Sequence, residues 1–210
     1  MADDTKVWSM IHTERAAVAD MIEQLTPEQW QQPSLCAGWT VGMMAGHILL
    51  AAEQTPGNFM KGMVSNGFAF NRYMNKATGA RAGMDKEEIV QRLRARTTTT
   101  NKAPAPATAM LGEIVVHGED IRHPLGLSRD VPQDALNACL EMYRKASFPV
   151  GGRKRIDGLR LVATDTGWAH GSGPEVSGPA SSLVLAMTGR RAGLDGLTGD
   201  GVAVMRQRLG

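Results

Sequence analysis

Cysteine is almost missing from this chain: Cys36 and Cys139 are the two it has, far apart and in no Cys-x-x-Cys pair. That excludes a cysteine zinc site and argues against a disulfide framework. Cys36 reads as a small buried thiol. An excess of charge of one sign is missing too. The net charge of +2 makes no electrostatic case for nucleic acid as a partner, and the run Arg92, Arg94, Arg96 reads as a solvated helix face. Aromatic residues are 5% of the chain against 13 methionines, so methionine is expected to fill core gaps that rings would otherwise occupy. No apolar run approaches the roughly 18 residues of a membrane-spanning helix. The start, Met-Ala-Asp-Asp-Thr-Lys, has neither the basic nor the apolar region of an export signal. The expectation is a cytoplasmic protein with no membrane and no nucleic-acid partner.

What is present is helical periodicity. Trp8, Ile11, Val18, Ile22 and Leu25 predict a first helix from about Asp4 to Gln24. Thr26-Pro27-Glu28-Gln29 is a capping box with proline at the first helical position, opening a short turn of helix. Thr40 caps the next helix, Val41-Gly-Met-Met-Ala-Gly-His-Ile-Leu-Leu-Ala-Ala52, with Trp39 placed to staple onto Met44. That helix is apolar almost all round and belongs in the middle of a bundle. Residues 56–83, rich in Gly, Asn and Met, read as a loop with one helical piece and as a candidate substrate lid. Asp85 and Glu88 suggest a capping box for a helix to about Thr98. Pro104 and Pro106 then break the chain, and a later helix is expected over Gln133–Ala146. From Gly151 the pattern changes: Leu159, Leu161 and Ala163 alternate like a strand, Trp168–Gly178 reads as a hairpin region, Pro179 starts a helix, and Asp200 caps a last one. The fold class is mainly α, with a helical bundle over residues 1–150 followed by a small α+β domain over residues 151–210.

The chemistry concentrates in Leu111-Gly-Glu-Ile-Val-Val-His-Gly-Glu-Asp-Ile-Arg-His-Pro-Leu-Gly126. On a helix Glu113, His117 and Asp120 stand at i, i+4 and i+7 and form one polar stripe, while Leu111, Ile114, Val115 and Ile121 point elsewhere. A carboxylate and an imidazole one turn apart suit a divalent metal, and His47 on the apolar helix supplies a third donor. Gly118 weakens the helix reading, and in a strand Glu113 and His117 would lie about 13 Å apart. A hydrogen-bonded core histidine is the competing reading of His47.

The segments Leu25-Thr-Pro-Glu-Gln-Trp30, Pro33-Ser-Leu-Cys-Ala-Gly-Trp-Thr-Val41 with His47 beyond it, and Glu113-x-x-x-His117-Gly-Glu-Asp-Ile-Arg122 resemble the mycothiol-dependent maleylpyruvate isomerase family, within the DinB-like helical bundles. The tail, from Asp165 through Gly178-Pro-Ala to Thr198-Gly-Asp-Gly-Val202, resembles the short C-terminal part of many members. The resemblance implies a four-helix bundle holding one divalent metal, usually zinc, through His47, Glu113 and His117, with mycothiol as the thiol cosubstrate. It leaves the small-molecule substrate open. An arginine of the C-terminal part matters in the isomerase, and Arg190 or Arg191 is the nearest candidate.

Three protein ligands leave a position for a thiol or a water. A thiolate formed there could add to an activated double bond and leave again, giving isomerisation, or stay, giving S-transfer. Asp120 could orient His117 or accept a proton, or else cap the helix or pair with Arg122; Arg122 is a candidate for a substrate carboxylate. The same donors suit a hydrolase using metal-activated water with Asp120 or Glu119 as base, and two histidines with one carboxylate also match a non-haem iron centre. A non-catalytic, metal-stabilised binding protein would close the fourth position with a side chain, for which His12 is the candidate. His123 and His170 read as surface loop residues, and Met43, Met60, Phe68 and Tyr73 as candidates for lining a pocket.

Overall fold

Asp4–Gln24 form α1, whose residues Val7, Ile11, Val18 and Ile22 make one buried stripe in the computed structural model, which describes residues 4–210. Those residues divide into two compact units, one ending at Ser128 and one running from Arg129 to Gly210. The chain is mainly helical with one small sheet, as expected. The boundary read at residue 150 falls inside the second unit.

In the first unit, α2 (Pro27–Gln31) opens with the capping box read from the sequence: the Gln29 amide donates to Thr26 Oγ1 at 3.2 Å and the Thr26 amide to Gln29 Oε1 at 2.9 Å. The indole of Trp30 lies flat on Gly42, where a Cβ would sit 2.6 Å from the ring, so α2 can press against α3 (Val41–Glu53). Thr40 caps α3 through its hydroxyl, which accepts from the Met43 amide; such caps contribute about 1 kcal/mol. Apolar on nearly every side, α3 packs against α5, α6 and α7, as its composition requires.

Residues 56–83 form two helices rather than a loop with one: α4 (Pro56–Ser65) and α5 (Phe70–Gly79). Thr55 and Asn58 make a second capping box, with Pro56 again at the first turn. Tyr73 lies over Gly62 and accepts a 2.7 Å bond from Gln54. Phe68, at φ 58, makes the turn between them next to Gly67 at φ 62. Further on, α6 (Lys86–Arg94) stops short of Thr98, and Asp85 occupies its cap position without a side-chain bond. α7 (Ala107–Arg122) follows the two prolines as a helix, not a strand, and packs on α1 and α3. Gly118 is tolerated there for a packing reason. The Arg122 guanidinium folds back over it, and a Cβ would lie 2.7 Å from Nη2.

In the second unit α8 (Gln133–Tyr143), shorter than expected, packs on α10 (Ala180–Met187). Between them come a short α9 (Gly152–Ile156) and a sheet of β1 (Arg160–Ala163), β2 (Ala169–His170) and β3 (Glu175–Gly178). The order is β2-β1-β3, with β2 antiparallel and β3 parallel to β1, so the expected hairpin is instead a crossover around β1. Gly171 and Gly173, at φ 82 and 118, let the connection run close to β1: a Cβ would meet the Leu159 and Gly158 carbonyls at 2.2 and 2.3 Å. A 3-10 turn, Arg191–Gly196, leads to α11 (Val202–Arg208), which starts after Gly201 and not from an Asp200 cap. No described helix is long and apolar enough to cross a membrane.

Candidate metal centre

His47 from α3 and Glu113 and His117 from α7 converge on one point. Glu113 Oε2 lies 3.5 Å from His47 Nε2 and 3.3 Å from His117 Nε2. The two imidazoles meet edge to face, with centroids 4.7 Å apart. These spacings are those between neighbouring ligands on a tetrahedral ion with bonds of about 2.0–2.1 Å, for which the edge is roughly 3.3 Å. Two edges of the donor set therefore match those on a tetrahedral divalent ion, and the three donor atoms lie within 4.8 Å of one another.

Each ring is held by its other nitrogen. His117 Nδ1 donates to Asp120 Oδ2 at 2.8 Å, and His47 Nδ1 lies 3.2 Å from Thr78 Oγ1. This division, Nε2 toward the shared point and Nδ1 toward an outer partner, fixes tautomer and ring direction as in histidines that bind metals. Thr78 reaches His47 because the segment after α5 lies directly on α3: a Cβ on Gly46 would be 3.0 Å from Arg81 Cβ. The segment is fastened by Glu53, which accepts from Arg81 and Arg92. Asp120 is fully buried and also accepts a 3.4 Å bond from Cys36 Sγ. The loop carrying Cys36 is tied to α7 by the Leu35 amide on the Asp120 carbonyl. Trp39 rests against the His47 ring, at 5.3 Å between centroids.

The electrostatics couple the three donors. Burial would raise the Glu113 carboxyl, but His117 and His47 outweigh it and hold the group well below the carboxylate range. Burial alone would lower His117; Glu113, Asp120 and Cys36 together push it well above the usual imidazole value. For His47 burial dominates and lowers it. The centre thus has one charged carboxylate, one imidazole inclined to hold a proton and one inclined to be neutral.

Other sequence candidates fall elsewhere. His12 does not belong to the cluster; its ring stacks near Trp8, 5.9 Å between centroids. Among the described residues, then, no fourth side chain of this kind joins His47, Glu113 and His117. Arg122 is nine residues from Glu113, half a revolution round the helix, and its Nε donates to Glu119 Oε1 at 2.8 Å. That places Arg122 and Glu119 away from the stripe. Arg190 belongs to the second unit, where its Nη1 donates to the Thr188 carbonyl at 2.9 Å. Met60 and Phe68 are exposed, His123 lies at the surface, and His170 stands in β2 rather than a loop. A narrow, half-open cleft beside Glu113 and His117 is walled by Ile48, Ala51, Ala52, Met110 and Ile114, with Arg15 among its lining residues. Sequence reading overlooked Arg15, Thr78 and the bond from Cys36, because each depends on a contact distant in the chain.

The first unit is a helical bundle with two histidines and a glutamate converging inside it, a candidate metal centre. Residues 11–109 match the family model of the mycothiol maleylpyruvate isomerase N-terminal domain, and this part of the chain belongs to that domain family. The resemblance seen in the sequence is borne out. The match includes His47 and stops just before Glu113. No curated protein matches the chain. Among solved structures, the chain is similar to a mycothiol-dependent maleylpyruvate isomerase, with a TM-score of 0.65 and 16% identity over 94% of this chain and 93% of that one. A histidine-to-alanine mutant of a mycothiol-dependent maleylpyruvate isomerase gives 0.64 and 15% over the same shares. At these identities the likeness establishes the fold.

Proposed function

We propose that this protein is an enzyme that binds one divalent metal, zinc, through His47, Glu113 and His117 and uses mycothiol to isomerise a small electrophilic substrate or transfer sulfur to it. The observation that carries the reading is the convergence of both Nε2 atoms on Glu113 Oε2 while Thr78 and Asp120 hold the two Nδ1 atoms. The domain family and the fold of the solved isomerases support the thiol. A metal bound there supplies the means to hold a thiol as thiolate at neutral pH, where a free thiol of pKa about 8.5 is mostly protonated.

The chain's own residues do the positioning. Glu113 and the two imidazoles offer three donors, leaving a side open toward the cleft. Asp120, buried and bonded to His117, is a positioning residue that keeps Nε2 directed inward. Ile48, Met110 and Ile114 give the cleft apolar walls that exclude water from the reacting groups. The hydrolytic alternative finds less support. Asp120 is engaged by His117 and Glu119 by Arg122, so neither carboxylate stands ready as a base in the cleft.

The test is metal content and mycothiol-dependent turnover on one preparation, wild type beside His117→Ala. The expected result is one equivalent of zinc and mycothiol-dependent conversion within an electrophile panel in the wild type, with the thiol consumed for S-transfer and regenerated for isomerisation, and both zinc and turnover lost in the variant. Zinc without thiol chemistry would move the weight to hydrolysis or to a binding protein. No zinc in either protein would leave the cluster as ordinary core polar residues.

A further inference from the structure

Between Arg144 and Arg160 the chain carries six lysines and arginines against a single carboxylate, Asp157. The end of α8, the first turn of α9 and the turn after β2 gather part of that charge around a half-open cleft of about 420 Å³. Every residue lining it belongs to the second unit. Its polar lining is Arg144, Lys145, Arg153, His170, Ser172 and Asp157, and the buried Ile156 and Leu159 add apolar surface. Gly158 helps keep the space open: it stands at φ 67, and a Cβ there would meet nothing within 4 Å. Arg144 and Lys145 share one carboxylate, Glu141, at 2.7 and 3.7 Å, which also accepts from the Trp168 indole at 2.9 Å. Among the described residues the Arg153 side chain has no hydrogen-bond or ion-pair partner. Cations facing one concavity repel each other, and a cleft walled by one sign of charge concentrates ions of the other.

We infer that this cleft is a binding site for a phosphate monoester, built without any of the candidate metal donors. A phosphate monoester brings a charge of about −1.5 to −2 at neutral pH and three strong acceptor oxygens. Even with Glu141 counted beside Asp157, the cations here are in excess, and Arg153 is uncommitted. Cations from two helices, with the Ser172 hydroxyl and the His170 ring from the sheet side, suit the several directions of a tetrahedral phosphate. A planar carboxylate, with two oxygens, is matched best by a single guanidinium fork. The volume lies in the range of about 300–1,000 Å³ that holds small organic ligands, so inorganic phosphate alone would leave most of it unfilled. Ile156 and Leu159 give the carbon skeleton an apolar surface. A cavity, rather than a basic stripe along the surface, favours a small molecule over nucleic acid.

The experiment is calorimetric titration of the whole chain with phenyl phosphate at physiological salt, with benzoate, inorganic phosphate and a short DNA duplex as comparisons. Arg153→Gln, Ser172→Glu, Ser172→Gln, Asp157→Asn and His117→Ala are titrated beside the wild type, with thermal unfolding recorded on every sample. Phenyl phosphate is expected to bind the wild type more tightly than any of the three comparisons. Arg153→Gln should bind it about tenfold more weakly or worse, the worth of a hydrogen bond to a charged group; because Arg153 is exposed and unpartnered, its loss should leave the fold intact. Ser172→Glu sets a second carboxylate in the cleft and should abolish binding, whereas Ser172→Gln should keep most of it. Asp157→Asn should bind up to about fivefold more tightly, the range of an exposed charge pair. His117→Ala should bind as the wild type does. No binding to the wild type, equal or tighter binding of benzoate, inorganic phosphate or the duplex, or wild-type affinity in Arg153→Gln or Ser172→Glu would each overturn the proposal. Loss of binding in a folded His117→Ala would assign the phosphate to the metal centre and overturn it too. Arg153-dependent binding in a protein that holds no zinc would sustain this inference and sink the metal reading.

Discussion

The two units treat polar side chains differently. Of the nine polar or charged residues buried in the described chain, eight lie in the first unit: Glu14, Arg15, His47, Gln54, Asn66, Thr78, Asp120 and Arg122. The second unit buries Thr188 alone, and its hydroxyl simply bonds back to the Val184 and Leu185 carbonyls of α10. The unit's other buried side chains include Leu159, Leu161, Val176, Leu183, Val184 and Met187, an ordinary apolar core. Polar groups taken out of water cost free energy unless their partners are in place. A unit that gathers eight of them has accepted that cost for something other than stability. Three of them, Arg15, Thr78 and Asp120, touch the candidate donors or line their cleft, and His47 is itself a candidate donor; these show what for.

The contrast is broken or kept most sharply by a cavity in each unit. Leu161 is fully buried, and Leu161→Ala should cost about 2–5 kcal/mol in denaturant unfolding while leaving zinc content at the wild-type level. His47→Ala should remove the zinc. A Leu161→Ala protein that folds but holds no zinc would mean that the centre depends on the second unit's core, and the division drawn here would not hold.

A smaller effect separates the two outer partners. Asp120 gives His117 a carboxylate acceptor at 2.8 Å, whereas Thr78 gives His47 a hydroxyl at 3.2 Å. Removing a partner that orients a metal-binding histidine typically weakens the metal by roughly 10–100-fold. Asp120→Asn should fall in that range by chelator competition, and Thr78→Val should fall below it because a neutral hydroxyl bond is the weaker one. Equal affinities in all three proteins would mean that the ring directions are set by packing alone.

How much of this was visible in the sequence follows from range along the chain. The stripe Glu113, His117, Asp120 lies within two turns of one helix, and its spacing placed all three side chains on one face. His47 was conspicuous as an imidazole on an apolar helix. The capping box at Thr26 was legible, and the same signal stood at Thr55-Pro56-Gly57-Asn58, where it would have revealed α4; the Gly and Asn content around it drew the reading toward a loop. Thr78 and Cys36 reach the centre from 31 and 84 residues away in the chain, a distance no periodicity encodes. The strand pattern of 159–163 was right, but pairing is a tertiary choice, and β3 took the parallel side of β1. Arg122 looked like part of the site because it is near Asp120 in sequence, though 200° away round the helix.

The smallest effect is one of pH, and it distinguishes the units with zinc present or removed. In the metal-free protein His117 has a raised pKa, so its contribution is fully present below the unfolded value of 6.5 and is lost as pH rises toward the folded one. His47, with a lowered pKa, acts in the opposite sense: its neutral form favours folding above 6.5 and loses that advantage as pH falls. Glu113 adds a loss below its unfolded value of 4.5. The three together place the metal-free maximum near pH 6.5. Above it stability should decline by up to about 1.4 kcal/mol per pH unit, the slope of a single proton. Zinc on Nε2 replaces that proton, so the loaded protein should show no such decline between pH 6.5 and 8.5, and loading at pH 7 should release a proton to the buffer. Leu161→Ala should lower both curves by the same amount between pH 6.5 and 8.5, because it removes buried apolar volume and no titrating group. Parallel curves for loaded and metal-free wild type would show that His117 is neutral without zinc and that its pairing with Glu113 is a hydrogen bond between a carboxylate and an uncharged ring.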